Sequence, residues 1–187
     1  MSFKDQLESL KTAWGVVMAA VAAGPIALWT TELQPPWPSG SALVATTACA
    51  FAIWIAFSIR TLVKRLLLFK AIGTASLVLG IGLGALYFAA FNRYVVSLDI
   101  ESQQNPRNIP VVIGGELKPG VMLGQRTERE ALIDALGESD KVWTERSIRW
   151  AKGSLLSTFV GAFFCLALGS TIVTLSKRLT HVKAANP

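Results

Sequence analysis

The sequence predicts an all-α membrane protein: four transmembrane helices with a small α+β insertion between the third and fourth. Three observations carry that prediction. Apolar residues make up 52% of the 187-residue chain and charged residues only 16%, against about 25% charged in an ordinary soluble domain. The apolar residues gather into runs of about 20, the length of a helix that crosses a bilayer. Basic loops alternate with neutral or acidic ones, as a multi-pass chain requires.

The first run covers residues 12–31 and holds no charge between Lys11 and Glu32. Asp5 and Glu8 precede it and no small-residue cleavage site follows, so a retained span is expected and not a signal peptide. Its Gly24-Pro25 pair should bend it, because proline removes a helix hydrogen bond. The second run, 42–59, is closed by Arg60. The third, 71–91, lies between Lys70 and Asn92, and the fourth, 154–175, between Lys152 and Lys177. Each can span roughly 30 Å of hydrocarbon. The chain thus divides into 1–91 with three spans, the insertion 92–153, and 154–187 with the fourth span and a basic tail.

Charge sets the orientation. Arg60, Lys64, Arg65 and Lys70 follow the second run without an acid, and Lys177, Arg178 and Lys183 follow the fourth in the same way. The 62-residue insertion balances nine bases against nine acids. Short basic loops stay in the cytoplasm, whereas long loops translocate largely regardless of charge. Both termini are therefore expected inside, with 92–153 outside; the reverse orientation would bring that segment into the cytoplasm. Trp14 near the inner boundary, and Trp29, Trp37 and Trp150 near the outer one, agree with aromatic belts. The net charge of +6 comes largely from bases beside span ends, which anchor on anionic lipid. Membrane lipid is the expected partner and nucleic acid is not.

No Asp, Glu, Lys, Arg or His falls inside a predicted span. Proton-coupled transporters, pumps and voltage sensors place such groups at membrane depth. The only histidine, His181, is in the tail. The chain is therefore expected not to be an enzyme, with no catalytic residue, cofactor site or metal site. Small residues form stripes instead. Gly73, Ser76, Gly80, Gly84 and Tyr87 recur at spacings of three and four in the third span, with Gly80 and Gly84 in GxxxG form. Thr158, Ala162, Cys165 and Gly169 do the same in the fourth, and Ala45, Ala48, Ala52 and Ala56 in the second. Stripes of this kind let helices approach closely. Gly73, Gly80, Gly84, Gly161, Cys165 and Gly169 are thus candidates for packing within the chain or between copies of a homo-oligomer. A pore in such an oligomer would be lined by Ser157, Thr158, Ser170, Thr171 and Thr174.

The insertion has local signals of its own. Residues 93–100 and 109–113 are strand candidates, separated by a polar turn at 102–108 that contains Pro106. Thr127-x-x-Glu130 is a capping box that should open a helix over 128–136, with Ala131, Leu132, Ala135 and Leu136 on one face and Gly137 as its stop. Asp140 or Thr144 should cap the last helix, which then runs unbroken to Arg178 as a rod near 50 Å. The alternating acids and bases are the pattern of a solvated surface. The insertion has neither histidine nor cysteine, so neither a thiolate–imidazole zinc site nor a disulfide is expected there. Ile148 and Trp150, beside Arg146 and Arg149, are candidates to meet headgroups or a partner.

The stretch Pro110-Val-Val-Ile-Gly-Gly-Glu-Leu117, followed by Lys141-Val-Trp-Thr-Glu-Arg-Ser-Ile-Arg-Trp150 leading into the last span, resembles the compact membrane subunits of bacterial antiphage systems. Among these it looks most like the Kiwa membrane-subunit (KwaA) family. The resemblance is one of layout and carries over no functional residue. It implies a homo-oligomeric inner-membrane component that acts with a cytosolic partner. The expected function is a non-catalytic sensor or scaffold that relays a membrane or envelope change to that partner. The alternative is a pore-forming effector or ion channel that depolarises the membrane. Arg60, Lys64 and Arg65 are the expected docking residues for an acidic partner, although lipid anchoring accounts for them equally well.

Overall fold

The computed structural model describes residues 35–38, 40–63, 65–100, 107–124 and 126–185. The predicted first span, with Trp14, Trp29 and the Gly24-Pro25 bend, lies outside these residues. So do Lys64 and most of the predicted 102–108 turn. Three described helices are long and apolar enough to cross a membrane: α1 (Ser41–Leu62), α2 (Leu66–Tyr94), and the first 33 residues, Glu145–Lys177, of the last helix. They correspond to the second, third and fourth predicted runs. Each extends past its predicted ends, because hydropathy marks the apolar stretch while helix continues until a cap or a breaker stops it.

Between α2 and the last helix lie β1 (Val95–Ile100), β2 (Arg107–Val112), α3 (Glu128–Asp134) and α4 (Ser139–Val142); the last helix is α5 (Glu145–Ala185). The chain packs as two compact units. One contains Gly40–Gly84 and the chain from Phe159 onward; the other contains Ala85–Thr158 and the short stretch from Pro35.

In the first unit, α1 buries Ser41, Ala45, Cys49, Ala52 and Ala56, a stripe at helical spacing. Cys49 takes the place predicted for Ala48, which is only partly buried. Leu43, Val44, Phe51 and Trp54 are exposed. In water such an outer face would drive aggregation, but against lipid it is the ordinary one. The hydroxyls of Thr46, Thr47 and Ser58 each donate to the carbonyl four residues earlier at 2.8–3.0 Å. That satisfies these three hydroxyl donors in an apolar medium. Ala56, Phe69, Ile172 and Leu175 form a small core shared by α1, α2 and α5.

In the second unit, α2 runs directly into β1, which pairs antiparallel with β2 so that Val95 faces Val112 and Ile100 faces Arg107. Strand β2 therefore begins at Arg107, two residues earlier than predicted, and recruits residues assigned to the turn. The core is Leu98, Ile113, Leu132, Val142, Trp143 and Ile148. The capping box forms as expected: the Thr127 amide donates to Glu130 Oε2 at 2.8 Å, and the Glu130 amide donates to Thr127 Oγ1 at 3.3 Å. The helix it opens stops at Asp134, short of 136. Leu136 turns to φ 57 and Gly137 to φ 81, and the Gly137 amide closes onto the Leu132 carbonyl at 2.8 Å. That left-handed exit throws Leu136 out to 84% exposure and corrects its expected place within the helix, on one face with Ala131, Leu132 and Ala135. Of the two candidate caps, Thr144 receives the Ser147 amide at 3.3 Å. From there α5 runs 41 residues, about 60 Å, longer than the predicted rod.

Candidate functional site

Two surfaces are candidates for function: the glycine faces of α2 and α5, and the outward face of α5 before the apolar run. The glycine faces bring α2 and α5 into close contact. A Cβ on Gly73 would lie 2.6 Å from Ile172 Cγ2, and one on Gly80 would lie 2.9 Å from Leu166 Cγ. One on Gly169 would meet the Gly73 carbonyl oxygen at 2.8 Å and the Leu77 amide nitrogen at 2.9 Å, so backbone lies against backbone. Gly161 is looser, 3.2 Å from Leu83 Cδ1. Packing within one chain therefore uses Gly73, Gly80, Gly161 and Gly169. Cys165 is partly buried. The GxxxG pair is split: Gly80 is buried against α5, whereas a Cβ on Gly84, or on Gly82, would meet nothing within 4 Å among the described residues.

That split gives a sign test. A side chain at Gly84 starts into open space among the described residues, so Gly84→Leu should leave thermal stability within about 0.5 kcal/mol, as surface changes usually do. If Gly84 faces another copy, the same change should lower the assembly's mass on native mass spectrometry. An unchanged mass would remove Gly84 from any contact between copies.

The basic turn is partly in view. Arg60 is half-buried in the last turn of α1, where a cation meets the negative end of the helix dipole, and Arg65 is exposed. The Arg65 carbonyl accepts the Phe69 amide at 3.1 Å, so its side chain sits at the positive end of α2. A cation there gains nothing from its own helix and depends on solvent or an external anion. Lys64 lies outside the described residues.

The second surface follows from how α5 is rotated. Ile148, Ala151, Leu155, Phe159 and Ala162 are buried at helical spacing. The opposite stripe of Arg146, Arg149, Trp150, Gly153 and Ser157 is exposed, and with Ser154 it lines an open groove of about 640 Å³. Ile148, expected beside Trp150 on the outer surface, is instead a core residue at 6% exposure, while Trp150 is 72% exposed. They lie two residues apart, and a helix turns about 200° over that distance. The sequence alone does not join Gly153, Ser154 and Ser157 to the arginines, because small residues at a span's start look the same as packing residues; Ser157 is expected there only as a pore-lining residue. The signal that would have joined them is the i, i+3, i+7, i+11 register from Arg146. Lys152 stands 5.3 Å from the Trp37 ring centroid, a cation–π contact at the same level of the helix.

The charges of the insertion pair on its surface: Arg126 with Asp134 at 2.8 Å, Lys141 with Glu138 at 3.0 Å, and Arg149 with Glu145 at 3.4 Å, all well exposed. Each such pair is worth at most about 1 kcal/mol. Among the described residues, no three or more His, Cys, Asp or Glu side chains come together in a group that would hold a metal ion. Comparison with protein-family models, curated proteins and solved structures finds no match to this chain.

Proposed function

We propose that the chain is a non-catalytic, homo-oligomeric subunit of the bacterial inner membrane that senses a membrane or envelope change and relays it to a cytosolic partner. In this reading it crosses the membrane four times, with both termini in the cytoplasm and the insertion outside. The observation that carries the proposal is α5. One unbroken helix contributes Ile148 to the insertion's core and Ile172 and Leu175 to the core of the first unit. A displacement of its first turns therefore has a stiff path to its other end. The resemblance of its sequence layout to Kiwa membrane subunits is the ground for proposing a role in antiphage or envelope-stress defence. The basic turn at Arg60, Lys64 and Arg65 supplies the docking face for an acidic partner.

The test is purification of the full chain from native membranes into nanodiscs, followed by native mass spectrometry. A homo-oligomer carrying a stoichiometric soluble protein is the expected result. Neutralising Arg60, Lys64 and Arg65 together to Gln should release that protein while the chain stays in the membrane. A partner that remains bound would overturn the docking face. An oligomer that carries no partner and conducts ions would replace the sensor with the pore.

A further inference from the structure

We infer that the outward face of α5, where it leaves the apolar run, binds an anionic phospholipid. Arg146 and Arg149 hold the phosphate, and the upper part of an acyl chain lies in the notch at Gly153, Ser154 and Ser157. These residues line one continuous groove of about 640 Å³. Gly153 opens the charge-free stretch of α5 that ends at Lys177. Arg149 stands four residues before it and Arg146 seven, which is about 6 and 10 Å along the axis. The headgroup layer adds about 5–7 Å on each side of the hydrocarbon, so both guanidinium groups lie within reach of its phosphates. Arginine suits that ligand because its planar fork donates two parallel hydrogen bonds to one phosphate.

The rest of the groove fits the same occupant. Trp150 projects from it at the level where amphipathic rings settle. Gly153 adds no side chain. The Ser154 hydroxyl donates to the Ala151 carbonyl at 3.0 Å and the Ser157 hydroxyl to the Ser154 carbonyl at 3.2 Å. With their donors turned onto their own helix, the serines leave a shallow and weakly polar floor that an acyl chain can cover. Charge selects the headgroup. Glu145 opposes Arg146, Arg149 and Lys152 over these turns, a balance that favours an anionic lipid over a zwitterionic one. The Arg149–Glu145 pair, at 3.4 Å and more than 70% exposed on both sides, is weak enough for a phosphate to displace. The inference depends neither on the sensor reading nor on the side of the membrane that the insertion occupies.

The experiment titrates the full chain, in neutral detergent, with phosphatidylglycerol or phosphatidylcholine and counts retained lipid by native mass spectrometry. Phosphatidylglycerol should be retained preferentially. Replacing both arginines in R146Q/R149Q should weaken its binding about 30-fold, about fivefold for each basic side chain at an anionic surface. R146K/R149K should recover part of the loss, and Gly153→Leu should weaken binding by filling the notch with every charge in place. If the glutamine pair fails to fold by circular dichroism, the lysine pair and Gly153→Leu decide the matter. Equal retention of the two lipids, or wild-type retention by R146Q/R149Q or by Gly153→Leu, overturns the site. Crosslinking between copies through Trp150→Cys at full yield with phosphatidylglycerol present would assign the face to a second copy instead.

Discussion

Gly169→Leu should prevent the first unit from packing, and Gly169→Ala should already lower its stability by about 1–3 kcal/mol, the usual range for one carbon too many in a filled space. The sign is a balance of two terms. Alanine in place of glycine gains about 0.5–1 kcal/mol of helix propensity. Against that, a new Cβ would sit 2.7 Å from Leu77 Cγ, 2.8 Å from the Gly73 carbonyl oxygen and 2.9 Å from the Leu77 amide nitrogen. Two of those three are backbone atoms of α2, which no rotamer change can move aside, so the helices must separate. Separation also loosens Ile172 and Leu175, which are fully or almost fully buried in the shared core. Without water between them, helices in lipid are held by close packing, so the lost contact is not replaced by a hydrophobic one. The check is thermal unfolding of the full chain in nanodiscs. Gly169→Ala should melt several degrees lower, Gly169→Leu should be recovered as aggregate or not at all, and Gly82→Ala should melt as wild type or slightly higher. A Gly169→Ala variant as stable as wild type would mean that the two helices do not approach this closely.

Trp143→Ala should unfold the insertion while the spans persist. Trp143 is 2% exposed and central to the core of the second unit. Its backbone also bridges to Leu117, flanked by the Lys118 amide donating to the Val142 carbonyl at 2.9 Å and the Thr144 amide to the Glu116 carbonyl at 2.9 Å. Removing a buried tryptophan side chain costs about 3–5 kcal/mol. A domain of this size has only about 3–9 kcal/mol in total, at 0.05–0.15 kcal/mol per residue. The neighbouring Gly114, where a Cβ would stand 2.9 Å from Trp143 Cβ, has no side chain that could move in to fill the space. Limited proteolysis in nanodiscs reads the outcome. Wild-type protein should resist cleavage between β2 and α5, whereas Trp143→Ala should be cut there quickly and leave membrane-protected fragments. Equal resistance would show that Trp143 is not the keystone of this core. If the relay along α5 is correct, Trp143→Ala also disconnects the insertion from its rod, and the co-purifying partner should lose its response to the stimulus without losing its binding.

Much of this molecule is legible in the chain itself. The three described membrane-length helices are visible because hydrophobic length is a local property, and no distant contact can turn 20 apolar residues into a solvated surface. The capping box at Thr127 and Glu130 is visible because both of its hydrogen bonds close within four residues. The stripes on α1, α2 and α5 are visible because 3.6-residue spacing marks a face wherever it points. Helix ends are less legible. Nothing at Asn92, Arg93 or Tyr94 stops a helix, and α2 ends where β1 finds β2, through pairs up to 17 residues apart such as Val95 with Val112.

Composition, patterning and charge by themselves determined that the chain is built for lipid, where its long helices run, and that its close contacts would be made through glycine and alanine. Tertiary structure decided which side of each helix is spent inside the chain. It turned Ile148 inward and Trp150 outward, sent Leu136 out through a left-handed turn, and separated Gly80 from Gly84. The physical reason is rotation. A periodic stripe fixes the relative angle between residues of one helix but not the absolute angle at which that helix meets its neighbours. That angle is set by the shapes of partners far away in sequence, Leu166 for Gly80 and the strands for Ile148. The exposed stripe from Arg146 to Ser157 is what remains once that choice is made.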